Sequence, residues 1–207
     1  MEKPTLSEMK HRYFILYKPY GMLSQFTTEY AGKKTLKDLD YPFPRDVYPV
    51  GRLDEDSEGL LLLTNNRMLN HRLLSPEFRH ERTYWCQLEG TITPEAIQKL
   101  RKGVDITVEQ KKYHTLPAHA SLLDGAAIPD RIPPVRYRKK IPTSWVELTL
   151  IEGKNRQVRK MTAATGFPTL RLIRIGMEKI SVSLLKPGEV SELDQETVMS
   201  KLNLVSL

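Results

Sequence analysis

One cysteine, Cys86, stands in 207 residues, so no disulfide can form within the chain and a reducing cytoplasm is the natural compartment. Cys86 lies in a stretch of strand composition without an adjacent activating group, and reads as a buried structural thiol. No apolar run approaches the roughly 20 residues that span a bilayer. The opening Met-Glu-Lys-Pro-Thr-Leu-Ser-Glu lacks the apolar segment of a signal peptide. The histidines His11, His71, His80, His114 and His119 show no ligand spacing such as i, i+4. Gly153-Lys154 lacks the upstream glycine and the following Ser or Thr of a phosphate loop, and no glycine-rich dinucleotide turn is present. There is no internal repeat. Neither a metal nor a cofactor is expected, and chemistry has to come from side chains alone.

The chain does hold an excess of positive charge. The formal net charge is +7, which favours a polyanionic partner, nucleic acid being the commonest. Nine basic residues lie between Arg131 and Lys160 (Arg131, Arg136, Arg138, Lys139, Lys140, Lys154, Arg156, Arg159, Lys160), against Glu147 and Glu152. From about 187 the balance reverses into an acidic C-terminal tail with Glu189, Glu192, Asp194 and Glu196. A charge run is usually a solvated face, but a cluster this lopsided in a basic protein points to RNA or DNA.

Residues 1–10 read as a disordered leader and 11–207 as one domain. Tyr13–Tyr17 has strand composition and stops at the Lys18-Pro-Tyr-Gly21 turn. One helical turn is expected around Lys34–Leu39 and a short edge strand at Val47–Val50. Leu60–Leu63 is a strand buried on both faces. Asn65 or Asn66 caps a helix over Arg67–Leu74, and Thr93 with Pro94 starts another that ends at Gly103. Arg82–Leu88, Ser144–Ile151 and Thr169–Ile175 are strands, with one or two more in 104–123. Residues 124–142, with Pro129, Pro133, Pro134 and Pro142, form an exposed basic loop. Arg156–Thr165 is a helix, followed by a short strand near Ile180–Ser183 and a weak helix at Asp194–Leu202. Short strands and helices without regular alternation indicate an α+β fold.

The chain is organised around residues 51–64, Gly-Arg-Leu-Asp-Glu-Asp-Ser-Glu-Gly-Leu-Leu-Leu-Leu-Thr. An acid-rich loop is pinned there beside the deepest strand of the core, the placement in which binding and catalytic residues concentrate. Asp54 can be a nucleophile, a general base, a metal ligand or a turn residue. Asp54, Asp56 and Glu58 lack the graded oxygen ligands of a calcium loop. Arg156, Arg159 and Lys160 lie three and four apart and share one helix face. Either they are a solvated face that contacts phosphates, or one of them turns inward to pair with Asp54 and hold it ionised.

Gly51-Arg-Leu-Asp54 with Ser57–Asn65, Lys18-Pro-Tyr-Gly21, and Glu152-Gly-Lys-Asn-Arg-Gln-Val-Arg-Lys-Met161 resemble the motifs of the RsuA-type pseudouridine synthases. Arg138–Trp145 and Gly166–Arg174 look most like the branch acting on large-subunit ribosomal RNA. The resemblance runs from about Tyr13 to Gly188. It implies a mixed, largely antiparallel sheet in two subdomains with the active-site cleft between them. The chain begins close before Tyr13, so the N-terminal S4 domain of many relatives is not expected. The resemblance makes Asp54 the catalytic aspartate, Tyr84 the tyrosine that stacks on the target base and Arg159 the cation that pairs with the aspartate. Arg82 stands where the family usually has lysine. Arg52 would help displace the base or hold a phosphate. Lys18, Arg136, Arg138, Lys139, Lys140, Lys154, Arg156 and Lys160 are the further RNA-contacting candidates. The implied partner is 23S ribosomal RNA, free or in an assembling large subunit, and the implied state is a monomer in the cytoplasm, without a membrane.

The residues suit that chemistry. Conversion of uridine to pseudouridine breaks the N1–C1′ bond, turns the base and joins C5 to C1′. The base must leave the stack, and an aromatic platform such as Tyr84 can receive it. A carboxylate can attack the sugar or remove a proton from it. Two other readings compete: a ribosomal RNA binder without catalysis, and a glycoside hydrolase using the carboxylates of the 54–58 loop. The latter needs two carboxyls about 5–10 Å apart across a sugar, which residues two apart in one loop rarely provide.

Overall fold

In the computed structural model residues 10–124, 128–135 and 140–204 are described. The leader up to residue 9, and Arg136, Arg138 and Lys139 of the basic loop, lie outside them. Along the chain come β1 (Tyr13–Lys18), β2 (Tyr48–Pro49), β3 (Glu58–Thr64), α1 (Arg67–Leu74), β4 (Arg82–Glu89), α2 (Pro94–Lys102) and β5 (Asp105–Val108). Then follow β6 (Lys111–His114), β7 (His119–Leu122), β8 (Thr143–Leu150), α3 (Gln157–Ala164), β9 (Thr169–Met177), β10 (Ile180–Ser181), β11 (Val190–Leu193) and α4 (Gln195–Lys201).

One long sheet runs β11-β1-β3-β9-β4-β8-β7, with β2 added to β3 and β10 to β9. Its only parallel ladder among the described strands is β3 with β9, so the sheet is mixed and largely antiparallel, as the resemblance implies. β5 and β6 form a separate hairpin. The four leucines of β3 divide as a doubly buried strand must. Leu60 and Leu62 join one core with Tyr13, Ile15 and Ile173, while Leu61 and Leu63 join another with Phe14 and Leu16. A further core gathers β4, β8, α2 and α3 around Cys86, Leu88, Leu100, Leu148 and Met161. The β3–β9 ladder is therefore the seam between two halves. Gly59 sits on it with φ +99°, and a Cβ there would overlap the backbone of Arg174. Only glycine lets the two strands approach so closely.

Caps fall where the side chains can make them. The Asn66 side chain accepts from Leu69 N, and the Thr93 side chain from Ala96 N ahead of Pro94. Burial pushes the Cys86 thiol up to about 12, as befits a structural cysteine.

The C-terminal segment differs from the expected acidic tail. β11 pairs antiparallel with β1, and Val198, Leu202 and Leu204 of the last helical stretch are buried in the first core. Its acids are on the rim. Glu192 takes a two-point ion pair from Arg12, 2.7 Å at each contact, and Asp194 caps α4. The charge pattern was a solvated face after all, laid over an apolar one.

Candidate active site

The loop from Gly51 to Ser57 enters β3 and is fastened from one side by the turn after β1. Ser24 Oγ donates to the Leu53 carbonyl at 2.9 Å and accepts from Leu53 N at 3.0 Å. Gly21 N donates to the Glu55 carbonyl at 2.8 Å. The loop closes on itself where Ser57 N donates to the Asp54 carbonyl. Asp54 is thereby held between two backbone clamps at a pocket of about 360 Å³ lined by Tyr20, Gly21, Asp54, Glu55, Asp56 and Arg156. Ser24 and Tyr20 were not singled out from sequence. Their spacing from Asp54 in the chain gives no hint, and only the Lys18-Pro-Tyr-Gly21 turn marks the region.

The cations arrive from the turn before α3 and from the first turn of α3 itself. Arg156 adopts a left-handed conformation, φ 51° and ψ 34°, at the residue before the helix. The expected helix from Arg156 therefore begins one residue later, and Arg156 departs from the face that carries Arg159. Its Nη1 donates to Asp54 Oδ2 at 3.1 Å and to Asp56 Oδ1 at 3.0 Å, and its Nη2 to Asp56 Oδ2 at 2.8 Å. Arg159 does not make the expected pair with Asp54. Its Nη2 donates to the Asp56 carbonyl at 2.8 Å and lies 3.4 Å from Asp56 Oδ2, while Nη1 donates to Thr169 O. Arg159 thus braces the loop, and Arg156 is the cation on Asp54. Arg156 holds the Asp56 carboxyl below its ordinary range, and burial lowers Arg159.

The three acids of the loop diverge. Glu58 turns away from Asp54 and Asp56 into the interior, where it pairs with Arg171 at 2.8 Å. Among the described residues no three His, Cys, Asp or Glu side chains are grouped to hold a metal ion.

The remaining candidates separate. Arg52 is exposed on the Asp54 loop, and Lys140 and Lys154 are also exposed, with Lys154 Nζ 5.1 Å over the Tyr113 ring. Lys160 is half-buried. Tyr84 is half-buried on β4, paired with Arg174 across β9 and Leu148 across β8. Arg174 in turn faces Gly59 across the seam. Tyr84 is not among the residues lining the Asp54 pocket.

Lys18 does not present its ammonium to RNA. It is fully buried, and Nζ donates to the carbonyls of Pro19 at 3.0 Å and Met22 at 2.7 Å, which knits the turn. Burial lowers its pKa from 10.5 to about 8 against the pull of Glu58 and the loop acids. Between those two pH values the unfolded chain binds the proton that the folded chain has released, so this group's contribution to stability rises with pH across the window. Urea unfolding of the wild type and Lys18→Met from pH 7 to 10.5 should show the wild type gaining on the variant above pH 8. Parallel pH profiles would contradict the buried, partly desolvated ammonium.

Relatives bear on what this arrangement is for. The model of a family described as RNA pseudouridylate synthase matches residues 12–164. A ribosomal large subunit pseudouridine synthase E of Vibrio parahaemolyticus is 47% identical over 191 residues, which cover 92% of this chain and 77% of that one. One from Xanthomonas axonopodis is 47% identical over 175 residues, 84% of this chain and 89% of that one. A crystal structure of a pseudouridylate synthase superposes with a TM-score of 0.74 at 28% identity, covering 93% of this chain and 74% of the other. The sheet with its seam at Gly59, the clamped Asp54 loop and these likenesses agree: the chain belongs to the RNA pseudouridylate synthase family.

Proposed function

We propose that the chain isomerises a uridine of 23S ribosomal RNA to pseudouridine, with Asp54 as the group that acts on the sugar. The observation that carries this is Asp54 itself: a carboxylate clamped by backbone, open to a pocket and faced by Arg156, on a chain so similar to large-subunit enzymes. Attack on C1′ and removal of a ribose proton both need a carboxylate within reach of the sugar, and both suit this position. The target base leaves the helix stack to reach it. Tyr84 receives the base by stacking, for which it has to gain access to the Asp54 pocket. Arg156 stands where a phosphate oxygen can compete with Asp54 for the guanidinium, an exchange between two charge-assisted bonds of similar strength. Arg52, Lys140, Lys154 and Lys160 contribute to binding the backbone. The enzyme works as a monomer in the cytoplasm, on free RNA or on an assembling subunit, and light scattering of the purified chain checks the first of these.

The direct test maps pseudouridine in 23S RNA from cells lacking the gene, with and without the gene restored. One uridine should lose its modification and regain it. Unchanged RNA, together with retained binding, would identify a binder without catalysis.

The basic loop supplies grip in this reading. Its described part reaches the pocket wall, with Arg131 stacked on Tyr20, and its end leads through β8 toward Arg156. Each phosphate contact contributes roughly −0.7 to −0.9 to the slope of log affinity against log salt. Neutralising Arg136, Arg138, Lys139 and Lys140 together should weaken binding and flatten that slope while the fold survives. Fluorescence anisotropy with a ribosomal RNA fragment over a salt series measures it. An unchanged slope would make the loop a solvated surface.

A further inference from the structure

The aromatic ring that lines the Asp54 pocket belongs to Tyr20, and it carries a guanidinium. Arg131 Cζ lies 3.9 Å from the ring centroid, a stacking distance. The plate is fixed along one edge, where Nε donates to Pro133 O at 2.7 Å and Nη2 to Pro134 O at 3.3 Å. The segment carrying it is tied to the interior. Pro129 O accepts from Nη1 of buried Arg171 at 2.6 Å, and Ile128 packs against the first core. Tyr20 is tied to the catalytic loop from the other direction through Gly21 N and Glu55 O. A π-faced pair is thus held between the core and the Asp54 loop, and no step on the reacting uridine uses it.

We propose that Tyr20 and Arg131 form a subsite for the nucleotide next to the flipped uridine. The ring stacks on the neighbouring base, and Arg131 holds the phosphodiester beside it. The inference rests on the reading that Asp54 acts on an RNA uridine. When one base is drawn into the pocket, the next base loses a stacking partner at the pocket mouth. A planar side chain placed there replaces that partner, and aromatic rings and guanidinium planes both serve single-stranded bases in this way. Nη1 of Arg131 makes no hydrogen bond among the described residues, which leaves a donor edge for a phosphate oxygen. Because every base has a π-face, the subsite positions the strand without reading its sequence.

An unmodified transcript of 23S RNA is the probe. Tyr20→Leu should raise KM about 5- to 100-fold with a smaller change in kcat, and Tyr20→Phe should restore KM. In an Asp54→Asn background, Arg131→Ala should weaken binding and lower the salt slope by roughly 0.7–0.9. Tyr20→Leu in that background should weaken binding and leave the slope in place, since stacking releases no counterions. Wild-type KM in Tyr20→Leu, or an unchanged slope in Arg131→Ala, would overturn the subsite. Absence of turnover by the wild-type chain would instead overturn the isomerase reading, and the two binding arms would still decide the subsite.

Discussion

Asp54→Asn should abolish pseudouridine formation, by about 10⁴-fold or more in a single-turnover assay, while RNA binding and folding persist. The loop explains why one oxygen can be exchanged for an amide so selectively. Asp54 shares Arg156 with Asp56, and Asp56 alone receives two of its three contacts, at 3.0 and 2.8 Å. The backbone beside Asp54 is held by Ser24 at Leu53 and by Gly21 at Glu55. An asparagine keeps that shape and loses the charge and the lone pairs that attack at C1′ or proton removal requires. Asp56→Asn is the informative contrast. It weakens the grip of both Arg156 and Arg159 on the loop, so it should perturb binding and turnover together. Wild-type single-turnover rates in Asp54→Asn would refute the assignment.

The pairing of Asp54 with Arg156 rather than Arg159 shows where sequence reading stops. Helical spacing put Arg156, Arg159 and Lys160 on one face, and that argument is sound for a helix that includes Arg156. One left-handed residue at position 156 cancels it. Glycine or asparagine would have advertised that conformation; arginine does not. The same cause blurred the count in 104–123, where one or two strands were expected and β5, β6 and β7 lie: the β5–β6 turn uses Glu109 and Gln110 at positive φ where a glycine signal is usual. β11 was missed because Val-Ser-Glu-Leu is short and acidic, and only its register against β1 makes it a strand. What was legible had strong local physics: the leucine run, the alternation in β4, β8 and β9, and the caps at Asn66 and Thr93. On their own the acids before the leucine run read as a charged turn ahead of a core strand, and it was the resemblance of Gly51–Asp54 and its companion motifs that set Asp54 at the centre of the site. Lys18 was misread for the converse reason. Nothing local reveals that a lysine at a turn will spend its ammonium on two buried carbonyls.

Breaking the Glu58–Arg171 pair should be strongly destabilising. Both side chains are almost wholly buried, at 2% exposure for Glu58 and 4% for Arg171. They meet in a two-point contact, Arg171 Nε to Glu58 Oε1 at 2.8 Å and Nη2 to Oε2 at 2.9 Å. Each charge in the interior is compensated chiefly by the other, with the buried Lys18 ammonium also drawn to Glu58. Glu58→Leu leaves an uncompensated guanidinium and should cost about 3–5 kcal/mol, a large share of the roughly 5–15 kcal/mol that holds a domain folded. Arg171→Met should cost a similar amount and also removes the donor to Pro129 O. The two changes are not additive, because the pair is worth little against an apolar replacement of matching shape. Glu58→Leu with Arg171→Met should therefore recover much of the lost stability, read as the urea midpoint at constant slope. Recovery of stability should not carry full activity with it. The double variant still lacks the contact that ties Pro129, and through it Arg131 and Tyr20, to the core, so KM should remain raised in a well-folded protein. A single variant within about 1 kcal/mol of wild type, inside the range of an ordinary substitution, would show that water or rearrangement neutralises the buried charge. A double variant as unstable as the singles would show that the site cannot repack around an apolar pair.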